Sequence, residues 1–382
     1  MKAGLLGSLG TEQFLHRHWQ KKPLLVRAAL PGFTGLIERD ALFALAGRDD
    51  VEARFVRRTR TGWQLLHGPF SARHFASAPK HNWTLLVQDL NHFLPEATAL
   101  LGRFAFIPHA RVDDVMVSYA AEGGGVGPHF DSYDVFLLQG AGRRRWQISA
   151  QSDRALLEDM PLKILARFEP EQEWILEPGD MLYLPPGYAH NGVALTPCMT
   201  YSIGFRAPSA QELGTQFLVF LQDTLQLDGI YADPDLRLQE HPAEVADSLI
   251  TKAARLIRKV RWDQDTIGEF LGSYLSEPKP HVFFDPPQRP MSFARFAAQA
   301  RHYGIALALR SKMLFRGARF YLNGETYAAC PQDIAALREL ADRRAAKLAR
   351  FSNNGLQQVY EWYLAGFITL NDSGRRSRKK AR

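Results

Sequence analysis

From about Val112 to Arg206 the chain consists of short alternations of apolar and polar residues, cut repeatedly by glycine and proline. In Val112–Tyr119, Asp114, Met116 and Ser118 share one face while Val115, Val117 and Tyr119 share the other. That period of two marks a strand. Arg143–Ile148 alternates as well, grouping Arg144 with Trp146 and Ile148 and leaving Arg143, Arg145 and Gln147 opposite. Val135–Leu138 is an all-apolar run, the pattern of a strand buried on both faces. Glu177–Leu184 reads as a turn and a strand, closed by the turn Pro185-Pro186-Gly187. Many short strands separated by tight turns predict a mainly β core, a sandwich or barrel of jelly-roll type.

Ahead of this core, residues 11–110 mix short helices and strands: Thr11–Leu15 opens a helix, and Lys22–Arg27 reads as a strand after a proline. The period changes at Pro208. Ser209-Ala210-Gln211-Glu212 has the form of a capping box ahead of Leu213 and Phe217–Leu221, which predicts a helix. Val245, Leu249, Ala253, Leu256 and Val260 fall at helical spacing and predict a second helix over 243–260. These apolar faces suit either packing within the chain or a dimer surface. After Pro278-Lys279-Pro280 come the run Leu314–Leu322, the hairpin turn Asn323-Gly324, helices over 331–344 and 356–364, and a strand over 367–370. Small helices around a hairpin suggest a winged-helix-like module. The expected division is a β-rich domain with an N-terminal elaboration (1–207), a helical segment (208–277), a winged-helix-like domain (278–370) and a basic tail (371–382).

At 382 residues the chain is long enough for two or three domains, each with its own core. No apolar run approaches the roughly 18 residues of a membrane helix. The opening Met1–Gly7 is too short and glycine-broken for a signal peptide. Cys198 and Cys330 lack Cys-x-x-Cys spacing and are expected as buried thiols of a cytoplasmic protein. The net charge is +7, yet Arg375, Arg376, Arg378, Lys379, Lys380 and Arg382 carry most of it and the body is nearly neutral. Such a tail points to weak, non-specific attraction to RNA or ribosomes, not to a DNA-reading groove.

The candidate chemistry lies in Gly-Pro-His-Phe-Asp, where His129 and Asp131 are two residues apart and so face the same way on a strand. A returning strand behind Pro185-Pro186-Gly187 supplies His190. Two imidazoles and a carboxylate, with the other positions open, suit non-haem Fe(II). Zinc hydrolases use similar sets, so the triplet alone leaves the metal open. An iron held this way accepts a chelating 2-oxo acid and O2. The far carboxylate of that acid then needs a cation, and a buried arginine needs an anion. Parity makes Arg144 that residue, a solvated edge strand being the alternative. Tyr133 shares the parity of the ligands; Asp114, Met116 and Ser118 form one strip, Thr200 and Ser202 another. An acid beside an aromatic ring and hydroxyls makes a pocket for a cationic side chain, with Asp114 as the acid and Asp113 its rival. The run Gly123–Gly127 lacks the Gly-Lys-Ser/Thr ending of a phosphate loop, and no Ser-His-Asp arrangement competes.

The stretch Gly123–Phe136 followed by Gln139–Trp146, the turn Leu184–His190, and the opening Phe14–Val26 closely resemble the bacterial JmjC-type ribosomal oxygenases. The resemblance covers essentially the whole chain except the basic tail. It implies a cupin-like double-stranded β-helix (jelly roll), a helical dimerisation segment giving a homodimer, and a C-terminal winged-helix-like domain. It further implies Fe(II)- and 2-oxoglutarate-dependent hydroxylation, with O2, of an arginine β-carbon in the sixteenth large-subunit ribosomal protein. Position by position, the resemblance makes His129, Asp131 and His190 the iron ligands and gives Arg144 and Ser118 to 2-oxoglutarate. Asp114, Met116, Tyr133 and Ser202 become walls of the substrate-arginine pocket. Where the family has a second small hydroxyl two residues after Ser118, this chain has Ala120. Three rival readings remain. One is a hydroxylase or demethylase of the same chemistry acting on another protein. A second is a cupin isomerase or dioxygenase with no use for 2-oxoglutarate, although such sites usually carry His-x-His. The third is a winged-helix nucleic-acid binder with a degenerate barrel.

Overall fold

The computed structural model of the chain describes residues 4–348 and 351–371; the basic tail lies outside the described residues. The N-terminal region supplies α1 (Thr11–Arg17), β1 (Leu24–Val26), α2 (Arg39–Leu45), β2 (Ala53–Arg58), β3 (Trp63–His67), α3 (Ala72–Ala76), β4 (Trp83–Val87) and α4 (Pro95–Gly102). The core strands follow as β5 (Val112–Ala120), β6 (His129–Phe130), β7 (Asp134–Ala141), β8 (Arg144–Ser149), β9 (Gln172–Leu176), β10 (Met181–Leu184), β11 (Ala189–Ala194) and β12 (Cys198–Phe205). They form two antiparallel sheets, one in the order β1-β10-β7-β12-β5-β4-β2-β3 and the other β6-β11-β8-β9. The N-terminal strands thus extend the larger sheet at both edges.

The central strands of the larger sheet, β10, β7 and β12, are buried on both faces. On its outer face Val115, Val117, Phe136, Tyr201, Ile203 and Phe205 join Phe14 and Phe104 in the main core. The Phe14 ring of α1 lies 5.0 Å from that of Tyr183 and 5.5 Å from that of Phe136. Burying such a ring stabilises the fold by roughly 2–3 kcal/mol, so α1 clamps the sheet from behind. On the inner face Val135, Leu137, Leu182 and Leu184 meet Trp146, Ile148 and Leu176 of the smaller sheet. This dry end gives way to Asp114, Ser118, Gln139, Arg144, Thr200 and Ser202, all buried. Strands β5 and β8 therefore carry the two faces that their alternation predicts.

Beyond β12 come α5 (Ala210–Thr224), α6 (Asp247–Ile257) and α7 (Gln264–Ser276). Ser209 caps α5 by accepting the Glu212 N–H at 3.0 Å. The expected box is only half made, because the Glu212 carboxylate turns instead to the Tyr274 hydroxyl and Arg206. Helix α6 is shorter than the predicted 243–260: Gln239 donates to the carbonyls of His241 and Glu244 and holds that stretch in a turn. The C-terminal part contains α8 (Phe293–Tyr303), β13 (Ile305–Leu307), β14 (Met313–Arg316), β15 (Arg319–Leu322), β16 (Glu325–Ala328), α9 (Ile334–Arg343), β17 (Ala345–Ala346), α10 (Asn353–Leu364) and β18 (Ile368–Leu370). It has its own core around Phe296, Phe320, Leu340, Leu356 and Trp362. Asn323 (φ 53°) and Gly324 (φ 91°) form the expected hairpin turn, whereas Gly317 (φ 63°) splits the run 314–322 into two strands.

Candidate metal centre

Strand β6 is two residues long and lies at the edge of the smaller sheet, paired with β11 so that His129 stands opposite His190. The glycine-rich run closes onto β11: Gly123 N–H donates to the Ala194 carbonyl (2.8 Å) and Ala194 N–H to the Gly124 carbonyl (2.9 Å). Asp131 comes just after β6, and its carbonyl accepts the Gly187 N–H at 2.9 Å, which ties it to the Pro185-Pro186-Gly187 turn. The side chains of His129, Asp131 and His190 converge, with one ligating atom from each lying within 4.8 Å of the others. Asp131 Oδ1 is 3.7 Å from His129 Nε2, and Asp131 Oδ2 is 3.4 Å from His190 Nε2. These separations are too long for good hydrogen bonds and leave room for an ion. Among the described residues no other such cluster forms.

Each imidazole is oriented from behind. His129 Nδ1 lies 2.9 Å from the Gly127 carbonyl and His190 Nδ1 lies 3.0 Å from the Tyr188 carbonyl. A carbonyl only accepts, so the proton belongs on Nδ1 and the Nε2 lone pairs face the centre. Burial, reinforced by His190, pushes His129 down to about 4, which favours the neutral, ligating form. Burial pushes Asp131 up, but His190, His129 and the Tyr133 hydroxyl outweigh it and hold the carboxyl below its ordinary value. Two imidazoles that present Nε2 and one ionised carboxylate, with the remaining positions open, suit Fe(II).

Arg144 lies deeper in the sandwich, and burial lowers its pKa. Nη1 donates to the hydroxyls of Ser118 (3.1 Å) and Thr200 (3.4 Å), and Nη2 donates to the Gly192 carbonyl (3.2 Å). Its buried Nε has no partner. The guanidinium stands 4.9 Å from the Trp146 ring centre. A buried guanidinium costs several kcal/mol unless an anion joins it, so this donor set fits the far carboxylate of a dicarboxylic cosubstrate. The cradle needs glycine at 192, where a Cβ would sit 2.7 Å from the Trp146 ring and 2.8 Å from Arg144 Nε. Thr200, assigned no role from the sequence, supplies a second hydroxyl, whereas Ala120 packs with Ala194 and Cys198.

On the other side of the centre, Ser202 pairs with Met116 across β12 and β5. Asp114 and Tyr133 meet beside Gly204, where a Cβ would lie 3.5 Å from Asp114 Oδ1 and 4.0 Å from Tyr133 Cε2. Burial pushes Asp114 up to about 7; Lys279 opposes the rise, while Asp113 and Asp89 add to it. Asp113, the rival acid, pairs with Lys279 at 3.2 Å. Nothing in the local sequence marks Asp89 or Lys279, which only the fold brings to Asp114.

The JmjC domain family matches residues 99–213 and the ROXA-like winged helix matches residues 259–369. Ribosomal protein uL16 3-hydroxylase of Escherichia coli is 34% identical over 322 residues, covering 83% of this chain and 85% of the relative. A probable ribosomal oxygenase of Haemophilus influenzae is 40% identical over 239 residues, 60% of this chain and 55% of the relative. The X-ray structure of E. coli YcfD superposes with a TM-score of 0.84 at 32% identity, over 95% of this chain and 98% of that one. YcfD, described as a ribosomal oxygenase, in complex with cobalt and 2-oxoglutarate superposes with a TM-score of 0.81 at 32% identity, over the same 95% and 98%. A likeness that runs through both domains and 85% of the E. coli enzyme goes beyond a shared jelly roll: this chain belongs to the JmjC ribosomal oxygenases.

Proposed function

We propose that the protein is an Fe(II)- and 2-oxoglutarate-dependent hydroxylase acting on the β-carbon of an arginine in ribosomal protein uL16. The observation that carries this reading is Arg144, a buried guanidinium with an unpartnered Nε, set one aromatic ring away from the histidines. Trp146 is that ring, 4.9 Å from Arg144 and 6.0 Å from His190 between centres. His129, Asp131 and His190 would hold the iron, and Arg144 with Ser118 and Thr200 would hold the far carboxylate. Iron and 2-oxoglutarate bound there supply the O2 chemistry that leaves one oxygen atom on the substrate carbon and yields succinate and CO2. The chain's own residues position and exclude. The carbonyls of Gly127 and Tyr188 fix the two imidazoles, and Val135, Leu137, Ile148 and Leu184 keep the inner face dry. Asp114 would receive the substrate guanidinium, with Tyr133 beside it and Met116 and Ser202 as walls, holding the β-carbon in place. The uL16 substrate is supported by the name of the E. coli relative and by an acid-and-ring pocket that suits an arginine.

The same reading makes the protein a homodimer working in the cytoplasm, where ribosomes are. Supporting the dimer, Leu218 of α5 and Ile250 and Ile257 of α6 are 66%, 52% and 69% exposed, more than a solvated helix pair would leave bare. No helix is long and apolar enough to cross a membrane. The test is mass spectrometry of uL16 after incubation with enzyme, Fe(II), 2-oxoglutarate and air. A one-oxygen gain on an arginine supports the proposal. Succinate without that gain points to another protein target, and the absence of both products refutes the iron site.

A further inference from the structure

Three carboxylates crowd the substrate side of the centre, and the cation among them comes from a distant part of the chain. The linker after α7, Pro278-Lys279-Pro280-His281, reaches back to the catalytic domain. Lys279 Nζ lies 2.9 Å from Asp89 Oδ1 and 3.2 Å from Asp113 Oδ1. His281 Nε2 lies 3.2 Å from Asp89 Oδ2. Asp89 adopts a left-handed backbone (φ 53°) and donates its N–H to Asp114 Oδ2 at 3.0 Å. Two prolines flank the lysine and restrict the backbone that presents it.

Resting on the functional reading above, we propose that Lys279 is a positioning residue for the substrate arginine. Its ammonium offsets the charges of Asp89 and Asp113, so that Asp114 can ionise to meet the incoming guanidinium. Through this linker the C-terminal half of the chain sets the arginine affinity of the catalytic domain.

The groups facing Asp114 make the balance explicit. Asp113 adjoins it on β5, Asp89 comes from the segment after β4, Tyr133 from the turn after β6, and Lys279 from the linker. In the orientation that satisfies its amide, Gln88 donates to Asp114 (3.1 Å) and accepts from Arg54 (2.8 Å), which relays a further positive charge. His92 and His281 act on Asp89, and Asp113 in turn acts on Lys312. Burial and the two neighbouring acids favour a neutral Asp114, and Lys279 opposes them. A neutral carboxyl forms a much weaker pair with a guanidinium than a carboxylate does. Burial also works against the charge on Lys279, but Asp114, Asp113 and Asp89 outweigh it and hold the amine above its ordinary value.

The experiment compares full-length wild type, Lys279→Met, Lys279→Arg and Lys279→Met/Asp113→Asn, with uL16 as substrate, over about pH 6 to pH 9. In Lys279→Met the acid limb of kcat/KM moves up by about one pH unit, and KM for uL16 at pH 7 rises about fivefold, while kcat and KM for 2-oxoglutarate hold. Lys279→Arg restores the profile, and Asp113→Asn in the Met background moves the limb back by removing a like charge. A lysine that merely bolts domains together would lower the melting temperature and kcat at every pH without moving the limb. Should the Met variant not fold, Asp113→Asn alone carries the test, since its limb must move down. An unmoved limb with an active wild type overturns this inference alone; no hydroxylation of uL16 by the wild type overturns the functional reading and this inference with it.

Discussion

Arg144→Met separates two opposite consequences of one side chain. Without cosubstrate, wild-type Arg144 is a buried charge with three hydrogen bonds and an orphaned Nε. Its neighbours keep other partners when it goes: Ser118 donates to the Thr200 carbonyl (3.4 Å) and the Thr200 hydroxyl donates to Gln139 (2.9 Å). Replacing a buried ion by an apolar side chain of similar volume is neutral or stabilising by about 1–4 kcal/mol, so the ligand-free variant should be at least as stable as wild type. With 2-oxoglutarate the sign reverses. Losing one partner of a buried, hydrogen-bonded charge pair costs about 2–5 kcal/mol, which is about 30-fold to more than 1000-fold in affinity. The assay is denaturant unfolding of the Co(II)-loaded protein with and without 2-oxoglutarate. At about 100 times Kd the wild type gains about 2.7 kcal/mol, and at the same concentration the variant gains at most about 0.9 kcal/mol. A variant that loses several kcal/mol without cosubstrate, or that keeps the wild-type gain with it, refutes the assignment of Arg144 as an anion receptor.

Asp131→Ala removes the charged member of the triad and should abolish turnover together with stoichiometric metal retention, read by elemental analysis after gel filtration; normal iron-dependent hydroxylation would sink the ligand assignment. Gly192→Ala drives a methyl to within 2.8 Å of Arg144 Nε and 2.7 Å of the Trp146 ring. It should raise KM for 2-oxoglutarate about tenfold at a stability cost of about 1–3 kcal/mol, leaving KM for uL16 unchanged. Lys312 is pushed down to about 8, first by burial and then by Arg206, and donates to the Val112 carbonyl at 2.9 Å. Below pH 8 the folded state holds a proton that the unfolded chain holds more favourably, and that penalty fades as pH rises from 8 towards the ordinary lysine value. Lys312→Met should therefore stabilise the protein by about 1–2 kcal/mol at pH 7 after the lost hydrogen bond is deducted, with the gain vanishing near pH 10 in chemical denaturation.

What could be read from the chain follows the range of the interactions concerned. The parity of β5 and β8 put Asp114, Ser118 and Arg144 on the inner face, because side-chain direction is set within a strand. Strand β6 ends at Phe130, so Asp131 reaches the histidines from a turn held by Gly187, a contact between segments that no local pattern records. Helix α7 was hidden by Gly268 and Gly272, which weaken helix propensity; a Cβ at 272 would sit 2.3 Å from the Tyr321 ring, so packing against β15 demands glycine. Asp89 and Lys279 are 190 positions apart, and only the closed fold makes them neighbours. Thr200 lay in a visible polar strip, but its role required knowing which arginine it faces.

Strands β5 and β12 divide their labour residue by residue. At 115, 117, 201, 203 and 205 the side chains build the main core, while at 114, 116, 118, 200 and 202 they face the chemistry. A saturation screen scored for cellular abundance should therefore be sensitive at 115, 117, 201, 203 and 205, and one scored for turnover at 114, 116, 118, 200 and 202. Selection can then act on the two sets almost independently. A descendant of this chain can retune which side chain it oxidises through changes at the second set alone, without first having to acquire stability reserves to survive them.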